Sequence, residues 1–329
     1  MPSTLTITPP ADFALGRDVC SYGYFLLAPN RWDVPRRTLS RVADLPGGPT
    51  LIAVRQRAGA GSPLIVASSR TLTAADRPAL RAQVSRTLRL DESAETIAAF
   101  HAADPRWRDS GRGRLFRSPA LFEDVLKTVT SCNVTWPGTV AMNRRLCEVL
   151  GARVDTPRGP RFGFPSAAKV ARTRPQTLRA RCRVGYRDAR MVELARLFAK
   201  PPSRGGVDQA RLEDPATPDD AVHATLMDLP GVGPYAAANI MQLLGRYARL
   251  PLDTESVRHG RMVLGMKGAS ADLMRRLHRH YEPFGTHAFR SYWFEIWQWY
   301  ESKKGPAESW DQDTVSTAFT GAVLKKLGA

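Results

Sequence analysis

The length, charge and cysteine content of the chain limit the classes of protein it can belong to. Its 329 residues permit a sizeable core and two or three domains, and its formal net charge is +17. The four cysteines form no CxxC pair, and no run of 18 apolar residues occurs. Zinc sites, iron–sulfur clusters and a membrane-spanning helix are therefore not expected.

The positive charge favours a polyanionic partner, because counterion release drives basic proteins onto nucleic acid. The basic residues are also uneven, with eleven Arg or Lys and two acids within 161–200. An alternative explanation is that the Arg- and Ala-rich amino-acid composition by itself makes the chain basic, without a nucleic-acid partner. Since no basic segment followed by an apolar stretch occurs at the start, we expect a cytoplasmic protein, nucleoid-associated if its source is bacterial.

The first hundred residues are typical of an α+β module. Apolar runs of strand length occur at 22–27, 51–54 and 64–66, and turn-forming residues bound each run. The segment 76–90 carries apolar residues at helical spacing, which predicts an amphipathic helix.

From about residue 91 the pattern becomes helical. Ser118 and Pro119 favour the start of a helix as its N-cap and first residue, and Gly151 favours the end of the next helix. We expect residues 217–220 to cap a later helix, and the segment beyond Gly305 to be peripheral. The predicted helices that follow residue 119 lie at about 137–150, 166–172, 175–181, 186–199 and 287–301, separated in part by Pro- and Gly-rich loops at 152–165 and 200–218.

The most informative segment is the sequence PGVG at residues 230–233, which lies between two apolar runs of helical period. Such a turn presents backbone N–H groups at the start of a helix to an anion, and a phosphodiester suits a chain this basic. Asp253 follows Tyr235 by eighteen residues and begins the sequence DTES, which is typical of a helix N-cap. An ordinary corner between two helices is the alternative interpretation of the turn.

Residues 229–237 together with Asp253 resemble the signature of the helix-hairpin-helix (HhH-GPD) superfamily of DNA glycosylases. The resemblance implies that Asp253 is the catalytic aspartate, which stabilises an oxocarbenium-like sugar cation and orients water. It also implies that a DNA phosphate binds the N–H groups of Gly231, Gly233 and Ala236. Three backbone carbonyls would hold a structural Na⁺ or K⁺ ion, those of Met227, Leu229 and Val232.

Tyr235 stands where bifunctional members of the superfamily carry a lysine. That amine attacks the sugar and cleaves the strand through a Schiff base, which a tyrosine cannot form. The resemblance therefore implies a monofunctional enzyme that leaves an abasic site for a downstream AP endonuclease. A lyase that uses another lysine, such as Lys303 or Lys304, is an alternative. No cysteine lies beyond Cys182, so the iron–sulfur loop of some members is not expected.

Two segments resemble the 8-oxoguanine glycosylases in particular. Residues 184–190 are similar to their GYRAR-type segment, which implies that Tyr186 wedges against the duplex stack and that Arg187 contacts the estranged base. Residues 131–133 resemble the loop whose asparagine, here Asn133, enters the gap left by the flipped nucleotide. Gly138 stands where that branch places a second arginine, which implies weakened recognition of the opposite base.

The predicted base pocket resembles a different branch, the alkylpurine (3-methyladenine type II) glycosylases. Trp293 stands where both branches place an aromatic residue against the flipped base. Phe289 stands where the oxoguanine branch reads the base edge with a glutamine, and a phenylalanine cannot make those hydrogen bonds. With Tyr235 and Asn239, these residues imply an aromatic pocket that favours positively charged alkylated bases.

We therefore expect an α+β fold with an antiparallel-sheet N-terminal domain. The resemblance implies a TBP-like sheet within residues 1–104, a mainly helical glycosylase core at 105–304 and a tail at 305–329. The expected activity is excision of an alkylated purine from double-stranded DNA by a monomer without a cofactor. Excision of an oxidised or deaminated base such as 8-oxoguanine is an alternative, and a non-catalytic DNA-binding protein is another.

Overall fold

A computed structural model describes residues 2–318, apart from the side chains of 316–318. Within this part of the chain, one five-stranded antiparallel sheet packs against helices, which confirms the predicted α+β class. The strand order is β1-β5-β4-β3-β2. The strands are β1 Ser3–Ile7, β2 Arg31–Asp33, β3 Thr38–Ala43, β4 Thr50–Gln56 and β5 Leu64–Ser68, and a separate ribbon joins β6 Arg153–Val154 to β7 Arg161–Phe162.

The sheet follows the alternation of the sequence. Along β4, Ile52 and Val54 point into the core, while Leu51, Ala53 and Arg55 are more exposed. The predicted strands at 51–54 and 64–66 are confirmed as parts of β4 and β5.

The predicted strand at 22–27 is wrong, because residues Gly23–Leu26 form a buried 3-10 turn. This run is buried on all sides, and a buried run without alternation does not distinguish a strand from a helical turn. The indole N–H groups of Trp293 and Trp297 donate to the carbonyls of Ser21 and Cys20, at 2.8 and 2.9 Å, and hold the segment against a helix instead of a strand.

Helices make up much of the remaining described chain. They are α1 Leu15–Val19, α2 Asp76–Thr87, α3 Ala94–Ala103, α4 Leu121–Ser131, α5 Trp136–Leu150, α6 Ala167–Ala171, α7 Pro175–Thr177, α8 Asp188–Ala199, α9 Gln209–Glu213, α10 Asp219–Met227, α11 Pro234–Leu243, α12 Thr254–Met262, α13 Ser270–Tyr281, α14 Ala288–Lys304 and α15 Gln312–Ala318. None of the helices within residues 2–318 is long and apolar enough to cross a membrane.

Two predicted helix starts need correction. Helix α4 begins at Leu121 after an extended Ala120, and the backbone N–H of Ser118 donates to Asp124 Oδ1 at 2.8 Å instead of Ser118 capping the helix. Helix α10 has no side-chain cap, because its N-cap residue is Pro218, and the hydroxyl of Thr217 donates to the carbonyl of Arg211 instead. In both cases the predicted capping residue bonds to a residue six positions away, and its side chain does not accept from a backbone N–H of the first helical turn.

The apolar residues form two core clusters. The first joins the sheet to α14 and to the segment after it, and the second lies among α4, α5, α8, α10 and α11. The prediction that the segment beyond Gly305 is peripheral is wrong for its described part. Trp310 is buried with its ring 5.1 Å from that of Trp297, and Gln312 Nε2 donates to the carbonyl of Asn30 at 2.9 Å.

Candidate functional site

The predicted helical hairpin is present, with α10 and α11 joined by a tight turn. The N–H of Val232 donates to the carbonyl of Leu229 at 3.0 Å. Gly231 has φ of +82°, a left-handed conformation that favours glycine. Gly233 is the N-cap of α11 and Pro234 its first residue, which is the usual position for proline in a helix.

The turn presents free backbone donors at the positive end of α11. Within residues 2–318, no group accepts a hydrogen bond from the N–H of Gly231, Gly233 or Ala236. The first N–H groups of a helix lack intrahelical acceptors, and together with the helix dipole they favour an anion. A bound phosphate at these three groups stays a prediction that the geometry permits.

The predicted cation at the hairpin also stays a prediction. The carbonyl of Leu229 already accepts one hydrogen bond, which leaves its second lone pair for an ion. Those of Met227 and Val232 lie at the end of α10 and within the turn. No cluster of three His, Cys, Asp or Glu side chains suited to a metal occurs within the described residues.

Asp253 is the N-cap of α12, as the sequence predicted. Its Oδ1 accepts from the N–H of Glu255 at 2.9 Å and of Ser256 at 3.1 Å, and it lies 3.2 Å from Ser256 Oγ. The N–H of Asp253 donates back to Ser256 Oγ at 3.0 Å, which completes a capping box. Among the described residues nothing donates to Oδ2, so one carboxylate oxygen is held and the other is free to face a ligand.

The environment of Asp253 differs from the simple N-cap that the sequence suggested. Burial raises the pKa of its carboxyl, and the nearby Glu255 charge acts in the same direction. The hydrogen bonds from Ser256 and from the N–H of Glu255 oppose this change. The carboxylate is therefore less well solvated than an exposed cap, a property that is common in functional sites.

Tyr235 lies close to this carboxylate, on the second residue of α11. Its side chain is half-buried, and burial together with the charge of Asp253 raises the pKa of its hydroxyl. A phenol in this state is neutral and serves as a flat surface or a hydrogen-bond donor, not as a nucleophile. The lysines proposed for an alternative lyase, Lys303 and Lys304, lie in the last turn of α14. Lys304 is about 16 Å along the helix axis from Trp293 at 1.5 Å per residue.

Trp293 is the half-buried member of an aromatic cluster. Its ring lies 4.7 Å from that of Tyr22 and 6.1 Å from that of Phe289, with which it is nearly parallel at 9°. Phe289 is buried beneath it and contacts Tyr247 and Tyr292 as well. The structure thus makes Trp293 the accessible surface and Phe289 its support.

Asn239 lies beneath the same cluster and uses its amide within the protein. Its Oδ1 accepts from the hydroxyl of Tyr22 at 2.7 Å, while its Nδ2 donates to the hydroxyls of Tyr24 at 3.3 Å and Thr128 at 3.1 Å. Thr128 in turn donates to the carbonyl of Asp124. Asn239 therefore fixes the position of Tyr22, and its amide N–H groups are used within the protein.

The residues predicted to hold a duplex open do come together. Tyr186 is 56% exposed, and its hydroxyl accepts from Asn133 Nδ2 at 3.4 Å. Arg187 is buried and donates to the carbonyls of Val129 at 3.2 Å and Asn133 at 3.4 Å, as well as to that of Cys132. Arg187 thus holds the loop that carries Asn133, which leaves less of its guanidinium for an estranged base.

The sequence did not identify several residues of this region. They are Tyr22, Tyr24, Thr128, Ser256 and Tyr292. Tyr22 and Tyr24 lie in an apolar run whose pattern predicts a strand. The signal in the sequence was the presence of two phenol hydroxyls in that run, since such groups require hydrogen-bond partners when they are buried.

Comparison with known proteins gives matches only among solved structures, since no protein-family model and no curated protein matches. A structure of MBOgg1 in complex with a low-affinity DNA ligand has a TM-score of 0.66 and 16% identity, and the match covers 90% of this chain and 96% of that one. Clostridium acetobutylicum 8-oxoguanine glycosylase/lyase in its apo form has a TM-score of 0.65 and 17% identity, with coverage of 89% and 96%.

A 3-methyladenine DNA glycosylase from Archaeoglobus fulgidus is equally similar. Its TM-score is 0.65 at 14% identity, and the match covers 91% of this chain and 99% of that one. At these identities the similarity shows the fold and does not separate the two branches. The chain therefore has the fold of the helix-hairpin-helix (HhH-GPD) DNA glycosylases.

Proposed function

We propose that this protein is a monofunctional DNA glycosylase that excises alkylated purines from double-stranded DNA. One observation carries the proposal. Asp253 follows the hairpin with one carboxylate oxygen held by three donors and the other free, and its neighbour on α11 is Tyr235. A free anionic oxygen in a partly desolvated site suits the stabilisation of a sugar cation.

The proposed reaction begins with DNA binding. The N–H groups of Gly231, Gly233 and Ala236 hold a phosphate, while Tyr186 and Asn133 fill the space that a flipped nucleotide leaves in the duplex. The flipped base stacks on Trp293 and Tyr235. Asp253 Oδ2 then stabilises the positive charge that develops on the sugar as the N-glycosidic bond breaks and the base leaves with the bonding electron pair. Water bound beside it attacks the sugar carbon and gives its proton to the Asp253 carboxylate, which leaves an abasic site.

The preference for alkylated purines rests on the aromatic character of the pocket. Trp293 with Tyr22 beside it offers π surfaces, and these attract a base that carries a positive charge. The N–H groups of the Asn239 amide are used within the protein, and Phe289 has no hydrogen-bonding group, so neither donates a hydrogen bond to the edge of a neutral oxidised base.

Excision of an oxidised base is the second candidate. The contact between Asn133 and Tyr186 favours it, since the segments that carry these residues resemble the 8-oxoguanine branch. The Clostridium acetobutylicum protein of the same fold is described as an 8-oxoguanine glycosylase/lyase.

A panel of labelled duplexes tests the proposal. Duplexes with 7-methylguanine, 1,N6-ethenoadenine, hypoxanthine, uracil or 8-oxoguanine are incubated with the protein, and strand breaks are scored with and without alkali. We expect breaks at an alkylated purine that appear only after alkali, which is the behaviour of an enzyme that leaves an abasic site for an AP endonuclease. Breaks without alkali and borohydride-trapped adducts would indicate a lyase, and no excision with tight binding would indicate a non-catalytic DNA-binding protein.

A further inference from the structure

Ser256 connects Asp253 to a buried tyrosine on another helix. Ser256 Oγ lies 3.0 Å from the N of Asp253, 3.2 Å from Asp253 Oδ1 and 2.5 Å from the hydroxyl oxygen of Tyr292. Ser256 is fully buried and Tyr292 is 3% exposed, so water does not compete for these groups. Three polar neighbours thus share one serine hydroxyl.

The single proton of Ser256 determines the direction of these hydrogen bonds. If Ser256 donates to Asp253 Oδ1, its oxygen accepts from the N–H of Asp253 and from the hydroxyl of Tyr292, and every group has a partner. If Ser256 donated to Tyr292, Asp253 would lose a donor, and the proton of Tyr292 would have no other acceptor within residues 2–318. Buried polar groups strongly favour the arrangement that pairs them all.

We propose that Tyr292 is a positioning residue for Asp253, and that it acts by fixing the proton of Ser256 toward Oδ1. In this arrangement Tyr292 donates its hydrogen bond to Ser256 Oγ, and Ser256 donates to Asp253 Oδ1. We call this chain of hydrogen bonds the relay. Oδ1 then has three donors and Oδ2 none, which fixes the plane of the carboxylate and makes Oδ2 the oxygen that faces the sugar. This inference rests on the proposed function for its catalytic consequence, but not for its structural one.

The relay matters because the surroundings of Asp253 disfavour its charge. Burial raises its pKa, and the titratable groups that face it are Glu255 on its own helix, Tyr235 on α11, Tyr292 on α14, Tyr22 and Cys132. These groups are neutral or negative. Arg258, the nearest arginine along α12, is engaged by Glu255. Hydrogen bonds are therefore the main support of the anion.

The first experiment measures the pKa of the Asp253 carboxyl directly, in the full chain without DNA. Carboxyl ¹³C NMR of aspartate-labelled protein follows the titration, and Asp253→Asn assigns the signal. We expect Tyr292→Phe to raise this pKa, and Ser256→Ala to raise it further, because each removes support from the anion. An unchanged pKa in Tyr292→Phe overturns the proposal whether or not the protein is an enzyme.

Tyr281→Phe is the matched control for this measurement. The hydroxyl of Tyr281 is also buried, lies 2.8 Å from Glu295 Oε1, and belongs to a ring 5.4 Å from that of Tyr292. It has no hydrogen bond to Ser256, so its removal is expected to leave the Asp253 titration unchanged.

The second experiment measures single-turnover excision and DNA affinity separately. Loss of one hydrogen bond in a chain to a charged group is expected to slow excision by Tyr292→Phe about tenfold without changing the dissociation constant for DNA. The double variant Ser256→Ala/Tyr292→Phe is expected to be no slower than Ser256→Ala alone. If the reductions in excision rate of the two single variants multiply in the double variant, the proposed relay is overturned. If the wild type excises nothing, the proposed function fails while the NMR titration still decides the relay.

Discussion

The two halves of the candidate site differ in how much of the chain builds them. The proposed phosphate-binding half is one continuous stretch, α10, its turn and α11, within residues 219–243. The base-pocket half joins Tyr22 to α11 and to Trp293 on α14, and the hydrogen bond between Tyr22 and Asn239 links residues 217 positions apart. Local turn chemistry therefore determines where the chain would hold a phosphate, while long-range packing shapes the surface that would hold a base.

The largest effect is expected at Asp253, where the two halves meet. Asparagine caps a helix as well as aspartate does, so Asp253→Asn keeps α12 while removing the anion. We expect the single-turnover excision rate to fall about 10³-fold or more, because electrostatic stabilisation of the transition state is lost. DNA binding, measured by titration with an uncleavable duplex, is expected to be retained.

Asp228→Asn is a matched control at the other half. Asp228 is exposed at the end of α10, next to the turn, so this variant makes the same change of charge beside the proposed phosphate site. Its excision rate is expected to stay near that of the wild type. Equal losses in the two variants would mean that charge near DNA, and not the Asp253 anion, controls the rate.

The second prediction concerns the buried ions that join the sheet to the helices. Burial alone would raise the pKa of Glu123, but Arg41 on β3 and Lys127, each 2.7 Å from its carboxylate, lower it to about 2. A lowered pKa contributes stability that is complete above about pH 4.5 and is lost as the pH falls toward 2. Glu123→Gln is therefore expected to reduce the free energy of unfolding by about 3 kcal/mol at pH 7.

Urea denaturation between pH 7 and pH 2.5 measures this difference. The gap between wild type and Glu123→Gln should narrow as the pH falls below about 4.5, because the carboxyl of the unfolded wild type binds a proton while that of the folded protein stays charged. Glu148→Gln is the control, since Glu148 is exposed and 3.8 Å from Arg144 at the surface, and its effect should stay within about 0.5 kcal/mol. A gap independent of pH would contradict the account.

The third prediction separates the two tryptophans of α14. Both indoles donate to the segment at residues 20–21, but Trp297 is buried while Trp293 is partly open. Each substitution by phenylalanine is expected to lower the free energy of unfolding by about 1–2 kcal/mol through the lost hydrogen bond and volume. Only Trp293→Phe should also slow excision, by about tenfold, if its ring stacks on the base. Equal excision rates in the two variants would mean that Trp293 does not stack on the flipped base.

The same contrast explains what the sequence could predict. The hairpin, the N-cap at Asp253 and the α+β class follow from signals within a few residues, namely a glycine turn, a capping residue and hydrophobic period. The role of Asn239 toward Tyr22 does not, because it depends on which groups a distant segment brings into the core. The predictions of a strand at 22–27 and of a peripheral segment beyond Gly305 were wrong for the same reason. Burial against distant segments overrode the local pattern at Gly23–Leu26 and at Trp310.

The smallest effect is expected from the backbone of the turn itself. Gly231 and Gly205 both have positive φ, of 82° and 76°, so alanine at either position should lower the free energy of unfolding by about 1 kcal/mol. A Cβ at Gly231 would lie 3.6 Å from Arg190 Cβ and one at Gly205 would contact nothing, so neither substitution meets a steric clash. Of the two glycines, only Gly231 belongs to the turn that presents the free N–H groups, so we expect the strain of its alanine variant to turn these groups away from a phosphate. We therefore expect it alone to weaken binding to damaged and undamaged duplexes equally, by a few-fold to about tenfold, as fluorescence anisotropy would show. A loss confined to damaged DNA would instead make the turn part of the base pocket, and the two halves would no longer be separate.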